Sequence, residues 1–189
     1  MFIFKNNYFL IIESIKNFDL KNIKKRDKFS IIYRNNYPEK IADLLDFRRV
    51  CKLKKINFFI ANNFKIAILL KADGVYLSSY NTTLKSLIFR KHNFQLIGSA
   101  HNFKEINIKM RQGCSQILLS KLFLVDYDKN APYLGLIKFN NILKFNKNLI
   151  PLGGINQTKL NSLKSLNCKG IALLSEIKKK PANIINRLF

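Results

Sequence analysis

The feature that most constrains this chain is a repeated alternation, in which eight short β-branched or aromatic runs are separated by longer stretches of helical or loop character. The first four runs are Phe9-Leu10-Ile11-Ile12, Phe29-Ser30-Ile31-Ile32-Tyr33, Phe58-Phe59-Ile60-Ala61 and Gly74-Val75-Tyr76-Leu77. Gln95-Leu96-Ile97-Gly98-Ser99, Gln116-Ile117-Leu118-Leu119-Ser120, residues 149–152 and residues 170–174 follow. Short runs of this kind read as β-strands. Helices are predicted from about Leu20, from Pro38 through Leu53, over 66–70, 83–91, 102–111 and 136–145, from Asn156 to Leu166, and from Pro181 onward. Pro38 suits a first helical turn, Asn156 suits an N-cap, and Ile41, Leu44, Leu45, Val50 and Leu53 fall mainly on one helix face. Eight strand–helix units are what a (β/α)8 barrel requires. The predicted fold class is therefore α/β, one barrel domain over residues 1–189; a doubly wound open sheet has the same local alternation and is the alternative.

Two strand ends near the C-terminus suggest a ligand. Pro151-Leu152-Gly153-Gly154-Ile155 stops a strand at two glycines, and Ile171-Ala172-Leu173-Leu174-Ser175 stops the next at a small hydroxyl residue. In a barrel, the backbone N–H groups at such consecutive strand ends, with a helix N-terminus, make a phosphate site. Gly153, Gly154, Leu174 and Ser175 are the candidate phosphate-binding residues, against the simpler reading of a tight strand-to-helix turn.

Composition sets the outer bounds. A chain of 189 residues with 48% hydrophobic content supports one well-buried core. It has no apolar run of membrane-spanning length and no secretory signal at Met1-Phe2-Ile3-Phe4-Lys5, so no membrane association and a cytoplasmic location are expected. Cys51, Cys114 and Cys168 are odd in number and never paired as C-x-x-C, which suggests reduced thiols and not a disulfide or zinc framework. The net charge of +23 invites nucleic-acid binding. However, the basic residues are scattered, with local clusters at 21–26, 48–55 and 178–180 where helix surfaces or ends are expected, so the charge reads as compositional. The expected partner is a small phosphorylated molecule.

Six segments, in order, carry a resemblance. They are Ala72-Asp73-Gly74-Val75-Tyr76-Leu77, Ile97-Gly98-Ser99-Ala100-His101, Leu118-Leu119-Ser120-Lys121-Leu122-Phe123, Leu134-Gly135-Leu136-Ile137-Lys138-Phe139, Pro151 to Ile155, and Leu174-Ser175-Glu176-Ile177. They match A-D-G-V-H-L, G-x-S-x-H, L-x-S-P-V-F, L-G-P-x-R-F, P-x-x-G-G-I and I-S-A-I. The chain thereby resembles the thiamine phosphate synthase and TenI family over roughly Phe9 to Ile177, and in particular a reduced paralogue type found in alphaproteobacteria. The resemblance implies a barrel that joins hydroxymethylpyrimidine pyrophosphate to thiazole phosphate, expelling pyrophosphate with Mg²⁺ assistance.

The departures from that pattern are concentrated. The family's N-D-D after strand three is Asn62-Asn63-Phe64 here, and its G-Q-x-D after strand four is Ser78-Ser79-Tyr80-Asn81. Both metal carboxylates are thus replaced, by Asn63 and Asn81. A neutral amide oxygen in place of a carboxylate weakens a Mg²⁺ site severely, so Mg²⁺ is doubtful as a cofactor. Q-L-R-x-K survives as Ile32-Tyr33-Arg34-Asn35-Asn36, keeping Arg34 and losing the Lys, and the threonine-rich loop after strand six is Leu124-Val125-Asp126-Tyr127-Asp128-Lys129.

The resemblance assigns Arg34 and Asn62 to the pyrophosphate side and Ser99, His101 and Lys121 to the chemistry. Lys121 falls where thiazole tautomerases of the TenI type carry a proton-moving His. The plainer readings are an ion pair of Arg34 with Asp43, Asp46 or Glu39, a structural His101, a surface His92 and a Lys121 that snorkels to the rim. Three functions remain open: a thiamine phosphate synthase, in which a cryptic metal arrangement or substrate-held Mg²⁺ suffices; a paralogue acting as tautomerase or as an inactive phosphate-ligand binder; and a basic polyanion-binding barrel.

Overall fold

The computed structural model describes residues 7–16, 18–23, 28–35, 39–84, 94–125, 130–174 and 177, without the side chain of Asn22. Its eight strands are β1 (Asn7–Ile12), β2 (Phe29–Tyr33), β3 (Asn57–Ala61), β4 (Gly74–Leu77), β5 (Gln95–Ala100), β6 (Gln116–Leu119), β7 (Leu149–Pro151) and β8 (Gly170–Leu173). All neighbours are parallel and run in the order β7-β6-β5-β4-β3-β2-β1-β8. β1 pairs on both sides, Tyr8 with Phe29 and Asn7 with Gly170, and the circuit closes through one bridge between Leu152 and Ala172. Sequential pairing around a closed circuit makes this a (β/α)8 barrel and removes the open doubly wound sheet. Closure is short because β7 is three residues long and its Pro151 has no N–H to donate.

Four α-helices are described: α1 (Ile41–Leu53), α2 (Phe64–Leu69), α3 (Phe103–Arg111) and α4 (Gly135–Phe145). Asn63 and Asn102 cap α2 and α3, their side-chain oxygens accepting from the Ile66 and Glu105 N–H groups. Among the described residues, 3-10 turns stand where two helices were predicted. From Leu20 there is a 3-10 turn, Leu20–Asn22, capped by Asp19, with residues 24–27 outside the described set. Residues 156–166 form the 3-10 turns Gln157–Lys159 and Ser162–Ser165. The physical reason is composition: the Ser162 and Ser165 hydroxyls donate to the Lys159 and Ser162 carbonyls, offering the backbone an alternative to the α-helical ladder. Pro38, most of the helix predicted over 83–91, His92, the loop 126–129, Ser175, Glu176 and the helix from Pro181 lie outside the described residues. Among the described residues no helix is long and apolar enough to cross a membrane.

The two faces of the barrel wall explain the apolar runs. Facing the helices are Tyr8, Leu10, Ile31, Phe58, Ile60, Val75, Leu77, Leu96 and their neighbours, packed with Leu44, Cys51, Ala67, Ile106 and Phe139. Facing the barrel axis is a second cluster with a member from every strand: Phe9, Ile11, Ile32, Phe59, Tyr76, Ile97, Leu118, Ile150 and Ala172. Side chains alternate with period two along a strand, so this inner layer fixes what stands above it.

Candidate functional site

Two residues beyond each inner-layer position, at the C-terminal ends of the strands, the period-two rule places Glu13, Arg34, Ala61, Ser78, Ser99, Ser120, Leu152 and Leu174. Six of these eight positions are small or polar, and a pocket of about 460 Å³ lies at the barrel mouth. Arg34, Tyr76, Ser99, Ser120, Lys121, Gly153, Gly154 and Leu174 all line it, as does His101. No carboxylate is among the lining residues described, so the pocket has a cationic bias. Tyr76 forms its floor at 2% exposure. Burial pushes the Tyr76 phenol above its ordinary pKa, opposed by a hydrogen bond with Ser99 and by the charge of Arg34.

The Gly153–Gly154 turn is set by backbone geometry. Both glycines have positive φ, +95° and +66°, which L side chains rarely adopt. A Cβ on Gly154 would collide with the Leu124 carbonyl and come within 2.6 Å of the Phe123 carbonyl oxygen. The turn is tied to that segment by Leu122 N–H donating to the Leu152 carbonyl and Phe123 N–H to the Gly153 carbonyl, at 2.9 and 3.1 Å. The plain turn reading is therefore sufficient to demand both glycines, and the pocket lies beside them.

His101 stands at the end of β5 with its Nδ1 3.0 Å from Glu105 Oε2, while its backbone N–H donates to the same oxygen at 2.8 Å. Glu105 also accepts from Asn102 Nδ2 at 2.9 Å. Burial alone would raise the Glu105 carboxyl, but these hydrogen bonds and the His101 ring outweigh it and hold it low. His101 is thus both a pocket-lining residue and one oriented by its own helix start.

The opposite side of the mouth differs. A second pocket of about 610 Å³ lies between β1 and β4 and shares Arg34, Ser78 and Tyr80 with the first. Arg34 pairs with Glu13 at 3.4 Å, and not with Asp43, Asp46 or Glu39 as its sequence neighbourhood suggested. Glu39 is instead held by Ser14 Oγ, Ile15 N–H and Tyr33 Oη at 2.6, 3.2 and 2.8 Å, and Asp46 pairs with Arg49. Asn62, at φ +56°, donates to Ser78 Oγ and Tyr80 Oη and accepts from Ser78 N–H.

The residues at the two eroded metal positions do not fit a Mg²⁺ ion. Asn63 Oδ1 is occupied at 3.0 Å by the Ile66 N–H, capping α2. Asn81 Oδ1 accepts from Thr83 N–H at 3.2 Å and its Nδ2 donates to Asn62 Oδ1. Among the described residues no three His, Cys, Asp or Glu side chains cluster as a metal site.

Of the residues singled out from sequence, Arg34, Ser99, His101, Lys121, Gly153, Gly154 and Leu174 meet in one pocket. Asn62 and Asn63 line the neighbouring one, Asn81 is bonded to Asn62, and Ser175 lies outside the described residues. Sequence reasoning gave no role to Ser78 or Tyr80, nor to Tyr76 beyond its place in a motif. The available signal was phase, since Tyr76 and Ser78 share the inward period of β4 with the other strands' site positions. It also passed over Lys109, a lysine three residues after buried Ile106 on the inner side of α3.

The family model described as thiamine monophosphate synthase matches residues 10–177. A thiamine-phosphate synthase of Prochlorococcus marinus subsp. pastoris is 29% identical over 173 residues, covering 90% of this chain and 48% of that protein. One from Prochlorococcus marinus strain SARG is 29% identical over 139 residues, covering 72% of this chain and 40% of its own. The chain therefore spans about half or less of the length of these relatives. The solved structure titled thiamine phosphate pyrophosphorylase from Pyrococcus furiosus superposes with a TM-score of 0.74 at 16% identity, covering 98% of this chain and 96% of that one, and shares the barrel fold.

Proposed function

Because this chain belongs to the thiamine monophosphate synthase family, we propose that it serves thiamine biosynthesis in the cytoplasm by binding a phosphorylated thiazole in the pocket at its barrel mouth. The observation that carries this reading is the lining: Arg34, His101 and Lys121 beside the Gly153–Gly154 turn, with no carboxylate among the described lining residues. A phosphate there gains charge-assisted hydrogen bonds worth about 1.5–3 kcal/mol each. Gly153, Gly154, Leu174 and Ser175 hold the phosphate in this reading, and Ser99, His101 and Lys121 face the ring. Arg34 and Asn62 stand toward the pyrophosphate side. The nominal reaction joins hydroxymethylpyrimidine pyrophosphate to the thiazole phosphate and releases pyrophosphate. A small ligand is favoured over a polyanion because these cations line a concave mouth and not an exposed stripe.

The use of the Asn63 and Asn81 side-chain oxygens as acceptors for backbone N–H groups favours a second reading, a paralogue that keeps the phosphate pocket without efficient condensation, as a tautomerase using Lys121 or as a binding protein. One experiment addresses both. Thiazole phosphate and the unphosphorylated thiazole alcohol are titrated calorimetrically, and thiamine phosphate formation is followed in parallel. The phosphorylated thiazole is expected to bind at least about tenfold more tightly, with very weak condensation. Equal affinity for the two removes the phosphate reading, and turnover at the level of an ordinary synthase removes the second.

A further inference from the structure

The segment after β4 is the wall between the two pockets, since Ser78 and Tyr80 line both. It is held from behind by a lysine with no solvent exposure. Lys109, on α3, is 0% exposed, and its ammonium donates to the Ser78 carbonyl at 2.7 Å, the Asn81 carbonyl at 2.6 Å and Gln112 Oε1 at 3.0 Å. Gln112, also 0% exposed, donates from Nε2 to the Asn81 and Thr83 carbonyls at 2.9 and 2.8 Å. Three ammonium protons meet three acceptors, none of them charged. Burying a cation against neutral partners is costly, and burial pushes this ammonium below its ordinary pKa, partly opposed by Cys114 and Glu105. Room for its stem comes from Gly98 on β5, where a Cβ would come within 2.7 Å of Lys109 Cδ and 2.8 Å of Cγ.

We propose that Lys109 is a positioning residue: an internal cation, bonded to two carbonyls of the 78–83 loop, that sets the pocket wall carrying Asn81 without a bound metal ion. The loop's own contacts supply reporters. Ser78 N–H donates to Asn62 Oδ1, Asn81 N–H to the Ser78 carbonyl and Thr83 N–H to Asn81 Oδ1, all three on the segment that Lys109 holds. The ligand-affinity arm of the test rests on the proposed thiazole-phosphate site, whereas the loop arm does not.

The test compares Lys109→Met, which keeps the stem and removes the ammonium, with Ile106→Ala, a core truncation on the same helix. Amide hydrogen exchange at Ser78, Asn81 and Thr83, thermal melting and affinity for thiazole phosphate are measured with EDTA and with Mg²⁺. In Lys109→Met the three amides should exchange at least about tenfold faster and affinity should fall by at least about tenfold, with or without Mg²⁺. Ile106→Ala should lower the melting temperature while leaving both readouts near wild type. Unchanged exchange in Lys109→Met, or the same loss in Ile106→Ala at matched stability, overturns the proposal. If Lys109→Met does not fold, Gln112→Met decides: it removes two bonds to the same loop, so faster exchange supports the proposal and unchanged exchange overturns it. If the wild type fails to bind thiazole phosphate, the functional reading falls while the exchange result still decides the role of Lys109.

Discussion

The two halves of the barrel mouth differ in where their polar groups are spent. On the β5–β8 side, Ser99, His101, Ser120 and Lys121 all border the first pocket, Ser99 also bonding Tyr76 and His101 also pairing with Glu105. Toward β3 and β4, the Asn62, Asn63 and Asn81 side chains are occupied by one another, by Ser78, Tyr80 and Thr83, and by the start of α2. The same residue type, an amide at a strand end, can serve a ligand or the fold, and its hydrogen-bond partners decide which. Where a resemblance expects a metal carboxylate and the chain supplies Asn, the amide caps a helix or locks a loop.

The largest expected effect tests whether the open half is built by its backbone. Gly154→Ala puts a Cβ against the Leu124 and Phe123 carbonyls at a positive φ, and should cost about 3 kcal/mol or more of stability in a urea or thermal melt. Near-wild-type stability would show that the turn is not fixed in this way.

Next in size are the cations. Arg34→Met and Lys121→Met each remove a positive charge from the mouth while leaving the backbone groups that hold the phosphate, and should each cost about 1–2 kcal/mol of thiazole phosphate affinity by calorimetry. Stability should change little in Arg34→Met, because its pair with Glu13 is 37% and 45% exposed and such pairs contribute about 0–1 kcal/mol. Unchanged affinity in both variants would erase the distinction between the halves.

For the occupied half the expected pattern is reversed. Asn63→Ala should lose about 1 kcal/mol of stability as α2 loses its cap. Asn63→Ala and Asn81→Ala should each change ligand affinity by less than about 1 kcal/mol. A large affinity loss in either would reinstate a working site there.

The smallest effect is in pH. Burial alone would raise the Glu39 carboxyl, but hydrogen bonds from Ser14, Tyr33 and the Ile15 N–H outweigh it and hold it low; Glu105 is low for the corresponding reasons given above. A carboxyl with a lowered folded pKa stabilises the fold above its ordinary 4.5, and that contribution is lost as pH falls through the folded value. Melting temperature should therefore drop below about pH 4.5, and Glu39→Gln and Glu105→Gln should each flatten part of that fall. An unchanged profile in both would contradict the assignment.

Much of the fold was legible because the strands read as short apolar runs and most strand ends turn small or polar at a fixed phase. Arg34, Ser99 and Ser120 could be placed at one mouth from that pattern alone. The helix expected over 156–166 was not legible, since Asn, Ser and Thr satisfy both a helix-cap pattern and a run of 3-10 turns, and their side-chain bonds select the latter. The Arg34 partner was missed because sequence proximity favoured Glu39, whereas parallel pairing of β1 with β2 brings Glu13 alongside. Lys109 was illegible because charged residues are presumed to face solvent, and two of its three acceptors are carbonyls of a loop about 30 residues away.

The central claim is that the open half of the mouth binds a phosphorylated ligand without help from a metal at the Asn half. The most direct measurement is calorimetric titration of thiazole phosphate into the purified protein, once with EDTA and once with millimolar Mg²⁺. The account predicts one site with the same affinity in both titrations, within about twofold. Binding that appears only with Mg²⁺, or no binding in either titration, would contradict it.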